Sequence, residues 1–165
     1  ALAHGVKSPT SAAVAQELVG SPALLAALHQ QAGQLLGGES AFAARLRALR
    51  GYPIVVNAWA SWCTPCRKEF GLFAIASARY GRGVAFLGAD TNDSPGDAQS
   101  FLIQHPVSYP SYQTTTSGLN PLAPIAGLPT TIFINRAGKV VYVHAGQYEA
   151  QGTLDQDVNN YAIGS

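Results

Sequence analysis

The two cysteines of the 165-residue chain, Cys63 and Cys66, form a C-x-x-C motif. Such a pair can close a small disulfide ring or present two thiols, so both redox states are accessible. The motif follows the apolar run 54–60 and precedes a helical pattern, which predicts that Cys63 lies at the first turn of a helix. The helix dipole there lowers a thiol pKa from about 8.5 toward roughly 3.5 to 7.5. We therefore expect Cys63 to attack a substrate disulfide and Cys66 to resolve the mixed disulfide.

Two other roles for the cysteine pair fit the sequence less well. A disulfide that closes so short a loop removes little entropy from the unfolded chain, on the order of 1 to 2 kcal/mol, so stabilisation alone is a weak reason for the motif. A zinc site needs four ligands, and no two of the histidines stand at ligand spacing; they are His4, His29, His105 and His144. We therefore predict no metal and no cofactor other than a redox-active Cys63–Cys66 disulfide.

A second feature lies far along the chain, where Gly127-Leu128-Pro129-Thr130-Thr131 precedes an apolar segment. An X-Pro bond adopts the cis form at a cost of only about 0.5 to 1 kcal/mol, although trans is the more common state. A proline at the start of a strand also suits a tight turn. Together with the C-x-x-C motif, this segment supports redox chemistry.

The composition indicates a globular chain with a sizeable core, since 47% of its residues are hydrophobic and 12% are charged. The 10 Lys and Arg residues balance 9 Asp and Glu residues, and no basic run is interleaved with aromatic residues. We therefore expect neither nucleic acid nor an anionic membrane surface as a partner. The sequence also has no apolar run of the length that a membrane-spanning helix needs.

The first residues of the chain suggest processing. Because the sequence contains no Met, we expect that a segment before Ala1 was removed. A signal peptide, a membrane anchor and a start codon are all compatible with this observation. The use of only two cysteines is consistent with an oxidising compartment, where a stray thiol would mispair.

The spacing of apolar residues predicts a helical N-terminal region followed by strands that alternate with helices. The predicted helices are 21–36, 39–50, 63–80, 94–105 and 153–161, with a further short helix within 8–20. The predicted strands are 53–60, 84–90, 130–135 and 139–146, and 106–128 is expected to be a loop with one short helix. The connecting helix favours parallel pairing of the first two strands, whereas Arg136-Ala137-Gly138 predicts a hairpin between the last two. We expect residues 1–50 to form a helical extension packed on a domain of residues 51–165.

The segment LRGYPIVVNAWASWCTPCRKEF, together with Leu128-Pro129-Thr130 before a hairpin and a final helix, resembles the thioredoxin superfamily. Within that superfamily it is most similar to the TlpA/ResA branch of extracytoplasmic thiol-disulfide oxidoreductases. The resemblance extends over residues 46–161. It implies an α/β thioredoxin-like fold, in which helices cover both faces of a central mixed sheet of parallel strands and a C-terminal antiparallel hairpin.

The resemblance also implies roles for single residues. Cys63 would be the attacking thiol, Cys66 the resolving thiol, and Pro129 a cis-proline whose neighbouring backbone pairs with bound substrate. The substrate groove would be lined by Trp62, Thr64, Pro65 and Leu128. Asn57 stands where thioredoxins have a buried Asp, and an amide cannot act as a general base.

Asp93 occupies the place of an acid that follows the second strand in ResA-like proteins. The resemblance therefore implies that Asp93 tunes the thiol pKa or relays a proton to Cys66. A turn residue in TNDSPGD is an equally good interpretation, since Asp favours local backbone hydrogen bonds. Arg67 and Glu69 repeat the family's charged turn after the second cysteine, and we expect both to be solvated helix surface. Gly71 replaces the proline that the family usually has in this helix.

We expect a thiol-disulfide oxidoreductase that works outside the cytoplasm, anchored to a membrane by the removed N-terminal segment. Its expected partners are protein thiols and disulfides and a membrane electron donor or acceptor, and we expect a monomer. The resemblance favours a reductant of the cytochrome c maturation type. Alternatives are a disulfide-forming oxidant of the DsbA/DsbE type, a peroxidase, and a non-catalytic binding module on the same fold. Against the peroxidase, Ala60 stands where a Thr or Ser would precede the attacking cysteine.

Overall fold

The computed structural model describes residues 8–165. From residue 8 onward, three helices precede the first strand: α1 (Ser11–Leu18), α2 (Ala23–Gln30) and α3 (Glu39–Ala48). The remaining helices are α4 (Thr64–Tyr80), α5 (Pro95–Gln104), α6 (Thr116–Leu119) and α7 (Gln151–Asp157), which continues into a π-helical segment, Val158–Ile163. The strands are β1 (Ile54–Trp59), β2 (Ala85–Thr91), β3 (Ser111–Thr114), β4 (Thr130–Ile134) and β5 (Val140–Ala145).

The five strands form one mixed sheet in the order β3-β2-β1-β4-β5. β2 pairs in parallel with both β1 and β3, while β4 is antiparallel to β1 and to β5. The apolar run of β1 explains its central place, because all six of its residues are buried and a strand covered on both faces needs apolar side chains in succession. The predicted α/β architecture and the C-terminal hairpin are confirmed.

Two apolar clusters cover the two faces of the sheet. One face carries Val55 and Trp59 of β1 with residues of α4, α5 and α7, and it includes both cysteines. The other face carries Ile54, Val56 and Ala58 with residues of α2, α3 and α6. Successive residues of a strand point to opposite faces, which places these two groups of β1 on different clusters. The first cluster is called the α4 face below, because α4 starts at the cysteine motif.

The edge strand β3 was not predicted, and the predicted helix 21–36 is wrong at its C-terminal end. α2 ends at Gln30, and Gly33 follows with a φ of 71°, a conformation that glycine adopts readily. The chain then runs beside β3, where Ser111 N–H donates to Gln34 O and Leu36 N–H donates to Ser111 O. The sequence of β3, SYQT, lacks the apolar run that marked the other strands, so its periodicity gave no signal.

Some expectations stay predictions. The division at residue 50 is one of them, although Leu25, Leu28 and Phe42 lie in the same apolar cluster as residues of β1. His4 and any segment before Ala1 lie outside the described residues. Within residues 8–165, no helix combines the length and the hydropathy needed to cross a membrane.

Candidate active site

Cys63 and Cys66 lie at the junction of β1 and α4, as predicted. Cys63 is the N-cap residue of the 17-residue helix α4, and its Sγ accepts a hydrogen bond of 3.3 Å from the backbone N–H of Cys66. Pro65 lies in the first turn, where its missing N–H is not needed. The two cysteines form a disulfide with a Cα–Cα distance of 5.3 Å. Cys63 retains 4% exposure and Cys66 none, so Cys63 is the more accessible of the two sulfurs.

Pro129 directly precedes β4, and the Leu128–Pro129 peptide bond is cis. Ala58 pairs with Thr130 across β1 and β4, so Pro129 lies opposite the last residue of β1. Leu128 is partly buried and packs against the cluster that contains both cysteines. The structure therefore places the distant Leu-Pro segment beside the C-terminal end of β1, the strand that leads to the C-x-x-C motif.

Trp62 presents a large apolar surface next to Cys63, with 61% of the residue exposed. Its indole Nε1 donates a 2.9 Å hydrogen bond to the carbonyl oxygen of Asn92. Asn92 has a φ of 51°, which is uncommon for a residue other than glycine. Thr64 is exposed and Pro65 is half-buried, so three of the predicted groove residues border solvent around Cys63.

Asp93 binds Ser61, two residues before Cys63. One carboxylate oxygen accepts a hydrogen bond from Ser61 N–H and the other accepts one from Ser61 Oγ, and each bond is 2.8 Å long. A 3.0 Å bond from Ser94 N–H adds the local contact expected of a turn residue. Partial burial acts to raise the pKa of Asp93, but the hydrogen bonds from Asp90, Ser61 and Ser94 outweigh it, and the pKa lies below its ordinary value. No hydrogen bond within residues 8–165 joins Asp93 to Cys66, and a proton relay between them stays a prediction.

Arg67 holds the same loop from the other side. Its Nη1 donates a 3.2 Å hydrogen bond to the carbonyl oxygen of Ser61, and its guanidinium lies 5.4 Å from the centroid of the Phe101 ring. Ser61 is thus bound at its N–H and hydroxyl by an anion and at its carbonyl by a cation. Arg67 is exposed, as expected, but it also fixes the backbone that leads into Trp62 and Cys63.

Asp90, at the end of β2, is a buried acid that the sequence did not single out. It is 1% exposed, and burial, with a further contribution from Asp93, raises its pKa to about 8. Gln113 donates a 3.4 Å hydrogen bond to Oδ2 of Asp90. At pH 7 the protonated form of Asp90 therefore predominates.

The expectation that Glu69 is solvated surface is wrong, because Glu69 is 0% exposed. Its Oε2 accepts a 2.8 Å hydrogen bond from Asn57 Nδ2, and its Oε1 accepts a 3.0 Å bond from Tyr148 N–H. Burial raises the pKa of Glu69 to about 7, although both hydrogen bonds act in the opposite direction. The sequence did contain a signal for the burial of Glu69, since positions 66, 69, 70 and 73 follow the helical spacing of a buried stripe.

Glu69 is an acid with a pKa near neutral on the α4 face, close to the disulfide along the helix. Residues three apart on a helix lie on the same side, which puts Glu69 one turn beyond Cys66. A carboxyl with such a pKa can both accept and donate a proton at neutral pH. Within residues 8–165, no group of three or more His, Cys, Asp or Glu side chains is arranged to hold a metal ion.

The AhpC/TSA family profile matches residues 35–143 of the chain. The thiol-disulfide oxidoreductase ResA of Bacillus subtilis is 31% identical over 102 residues, which are 61% of this chain and 57% of ResA. ResA of Halalkalibacterium halodurans is 33% identical over 114 residues, covering 67% of this chain and 62% of that protein. The chain thus spans less than two thirds of the length of these relatives.

Solved structures of related proteins have the same architecture. The thiol:disulfide interchange protein DsbE from Chlorobium tepidum superimposes with a TM-score of 0.62 at 31% identity, covering 70% of this chain and 84% of that one. A second thiol:disulfide interchange protein of the thioredoxin family from Chlorobium tepidum TLS gives a TM-score of 0.63 at 26% identity, over 70% and 83% of the two chains. These matches confirm the thioredoxin-like fold that the sequence resemblance implied.

Proposed function

This chain belongs to the thioredoxin-like AhpC/TSA family, and from that membership and the geometry at α4 we propose that it is a thiol-disulfide oxidoreductase acting on protein substrates. The observation that carries the proposal is the position of Cys63, which caps α4 with its sulfur and is joined to Cys66. When the disulfide is reduced, the helix N-terminus stabilises a Cys63 thiolate more than a neutral thiol. Cys63 is then a nucleophile near neutral pH.

The exchange proceeds in two balanced steps. The Cys63 thiolate attacks a substrate disulfide, which forms a mixed disulfide and releases one substrate thiolate. Cys66 then loses its proton and attacks the sulfur of Cys63, which re-forms the Cys63–Cys66 bond and releases the second substrate thiolate. Two electrons pass to the substrate, and the reverse sequence oxidises a substrate dithiol. The order of attack follows from exposure, since Cys66 is fully buried behind Cys63.

The groove for the substrate lies between Trp62 and the Leu128–Pro129 segment. Trp62 offers an exposed aromatic face beside Cys63, and tryptophan is enriched among the residues that anchor binding interfaces. The backbone next to Pro129 would pair with an extended substrate, as the family resemblance implies. Thr64 and Pro65 complete the border of the groove on the side of α4.

Glu69 is the group best placed to take the proton from Cys66. It lies one turn beyond Cys66 on the buried side of α4, and its pKa of about 7 lets it hold the proton while Cys66 attacks. The sequence resemblance assigned this relay to Asp93, whose hydrogen bonds go to Ser61 and Ser94. Asp93 instead supports the loop that carries Cys63.

For the physiological setting, we propose a reductant of the cytochrome c maturation type that works outside the cytoplasm. The similarity to proteins named ResA and DsbE homolog supports this choice. A membrane electron donor or acceptor, a membrane anchor and a monomeric state belong to the same proposal. A disulfide-forming oxidant is the second candidate, because the chemistry at Cys63 and Cys66 runs in both directions.

Four measurements test the proposed activity. The wild-type protein should reduce insulin or refold scrambled RNase, and Cys63→Ser should abolish both reactions; activity retained by Cys63→Ser would overturn the proposal. Cys66→Ala should trap a mixed disulfide on Cys63, whose partner mass spectrometry can name. A redox potential near the roughly −270 mV of thioredoxin would indicate a reductant, and one near the roughly −120 mV of DsbA would indicate an oxidant. Peroxide consumption by the isolated protein would favour the peroxidase instead.

A further inference from the structure

Three polar residues form a row across the α4 face of the sheet. Asn57 of β1 pairs with Thr131 of β4, and Thr131 pairs with His144 of β5. Directly opposed residues of antiparallel strands point to the same face, with their Cβ atoms about 4.5 to 5.5 Å apart. The row therefore runs from the central strand to the outer strand in two steps.

The inner part of the row contains unpaired polar atoms. Asn57 is 1% exposed and Thr131 is 0% exposed. Within the described part of the chain, Asn57 Oδ1 and Thr131 Oγ1 have no hydrogen-bond partner, although the amide Nδ2 of Asn57 donates to Glu69. An unpaired buried polar atom costs about 1 to 3 kcal/mol, and internal water is the usual partner of such atoms. Two of them on adjacent strands can share a bridging water.

The outer end of the row reaches solvent at His144. The side chain of His144 is 22% exposed, and its Nδ1 lies 3.9 Å from Oδ2 of Asp157. The imidazole stacks on the ring of Tyr148 with centroids 3.9 Å apart. The backbone N–H of the same Tyr148 donates to Glu69, so one residue contacts both His144 at the outer end of the row and Glu69, the hydrogen-bond partner of Asn57 at its inner end. Tyr148 is itself buried.

We propose that internal water held by Asn57 Oδ1 and Thr131 Oγ1 connects the Glu69 carboxyl with His144, and that protons pass between Glu69 and solvent along this row. The inference rests on the proposed function, in which Glu69 exchanges a proton with Cys66. The row meets a need of that mechanism, because both Glu69 and Cys66 are shielded from solvent.

The proton balance is simple. When Cys66 attacks the mixed disulfide, its S–H bond breaks and Glu69 takes the proton. Glu69 passes the proton to the water, the Thr131 hydroxyl accepts one proton and donates another, and a ring nitrogen of His144 releases one to solvent. Asn57 positions the water through its carbonyl oxygen and carries no proton itself. Reduction of the protein disulfide uses the same route in the opposite direction, with one proton delivered to Cys66.

The test follows the oxidation of the fully reduced protein by saturating oxidised glutathione in a stopped-flow fluorimeter, where formation of the Cys63–Cys66 bond limits the rate. Thr131→Val keeps the shape but removes the hydroxyl, and His144→Phe keeps the stacking on Tyr148. Each should slow the saturating rate by about tenfold, within the hundredfold that a positioned proton transfer typically contributes. The equilibrium with glutathione should stay unchanged, because a proton route alters rates alone.

Rescue separates a proton route from a structural effect. Thr131→Ser should regain the wild-type rate, and added imidazole should accelerate His144→Ala but not the wild-type protein. His105→Phe serves as the matched control, since His105 also stacks on an aromatic ring, that of Phe101, away from the row. Wild-type rates in Thr131→Val and His144→Phe, or the absence of imidazole rescue, would overturn the inference. If Thr131→Val does not fold, the His144 variants decide.

Two further outcomes keep the inference distinct from the proposed function. A wild-type protein that exchanges with neither glutathione nor insulin would contradict the proposed function itself. Magnetisation transfer from long-lived internal water to the Thr131 methyl group should be visible by NMR and should be lost in Thr131→Val. Direct pairing of Asn57 Oδ1 and Thr131 Oγ1 with protein atoms in a high-resolution crystal structure would contradict the row even in an active enzyme.

Discussion

The backbone N–H of Tyr148 donates a 3.0 Å hydrogen bond to Oε1 of Glu69, although 79 residues separate the two along the chain. This bond ties the segment that follows β5 to the helix that starts at the cysteine motif. It also leaves the Glu69 carboxyl enclosed, with Asn57 as its second partner. The acid therefore titrates inside the protein, which has consequences for stability as well as for exchange.

Replacement of Glu69 by Gln should flatten the dependence of stability on pH. The pKa of Glu69 is raised from 4.5 to about 7, so the folded protein keeps a proton that the unfolded chain releases, and stability falls as pH rises through this window. At pH 8, Glu69→Gln should exceed the wild type by about 3 kcal/mol in the free energy of unfolding, whereas the two should be equal near pH 4. Urea denaturation of the oxidised proteins checks this, with exposed Glu149→Gln as the control. Parallel curves for Glu69→Gln and the wild type would contradict it.

Asp90→Asn should also be more stable than the wild type at high pH, and the difference should develop over a wider range of pH than for Glu69→Gln. Because the pKa of Asp90 is raised from 3.8 to about 8, the wild type loses stability progressively between these values, while the amide of the variant stays uncharged. The variant should therefore melt at a higher temperature than the wild type at pH 9 and at a similar one near pH 4. Thermal unfolding at the two pH values provides the measurement. Destabilisation of Asp90→Asn at pH 9 would show that the Asp90 carboxylate is bound by a cation.

Ser61 and Asp93 should be energetically coupled. Asp93→Ala removes the charged acceptor of two hydrogen bonds that Ser61 donates, and Ser61→Ala removes one of these donors. In a double-mutant cycle of unfolding free energies we expect a coupling of about 1 kcal/mol, the size of one partly exposed, charge-assisted bond. Strict additivity of the two substitutions would mean that the bonds contribute nothing in solution. The single variants should also shift the thiol titration of Cys63, which this loop positions.

Trp62→Ala should slow exchange with large substrates but not exchange with small ones. Since 61% of Trp62 is exposed, its loss should change the free energy of unfolding by no more than about 0.5 kcal/mol. The rate with insulin should fall by roughly tenfold, as expected for the loss of an aromatic anchor, while exchange with dithiothreitol should stay near the wild-type rate. Val19→Ala, at a similarly exposed apolar residue on the α1 side, is the control for surface hydrophobicity. Equal losses with both substrates would assign Trp62 a role in the reactivity of Cys63 instead.

Much of the fold could be predicted because long apolar patterns mark its central elements. The continuous run of β1, the stripe of α4 and the turn between β4 and β5 all appear in the sequence as local signals. The polar edge strand β3 carries no such pattern, and it forms because β2 on one side and residues 34–37 on the other supply its hydrogen bonds. Its existence depends on contacts between distant segments.

The residues of the candidate site likewise divide into those that a sequence pattern marks and those that depend on contacts between distant segments. Cys63, Cys66 and Pro129 could be singled out from the sequence because residues of these types in this arrangement are typical of redox chemistry. Glu69 was missed because a charged residue in a helix is usually solvated, and only its place in the buried stripe distinguishes it. The row of Asn57, Thr131 and His144 depends on the pairing register of three strands, which no local pattern determines.

The backbone bonds from residues 34–37 to β3 also bear on self-association. Ser111 N–H, Leu36 N–H and Gln113 N–H all take part in this pairing, so the hydrogen-bonding groups along that border of the sheet are occupied. Of the two borders in residues 8–165, the β5 side is therefore the one open to an added strand. If the protein forms ordered aggregates or exchanges strands between copies, the process starts at Val140–Ala145, and a charged residue placed there should suppress it.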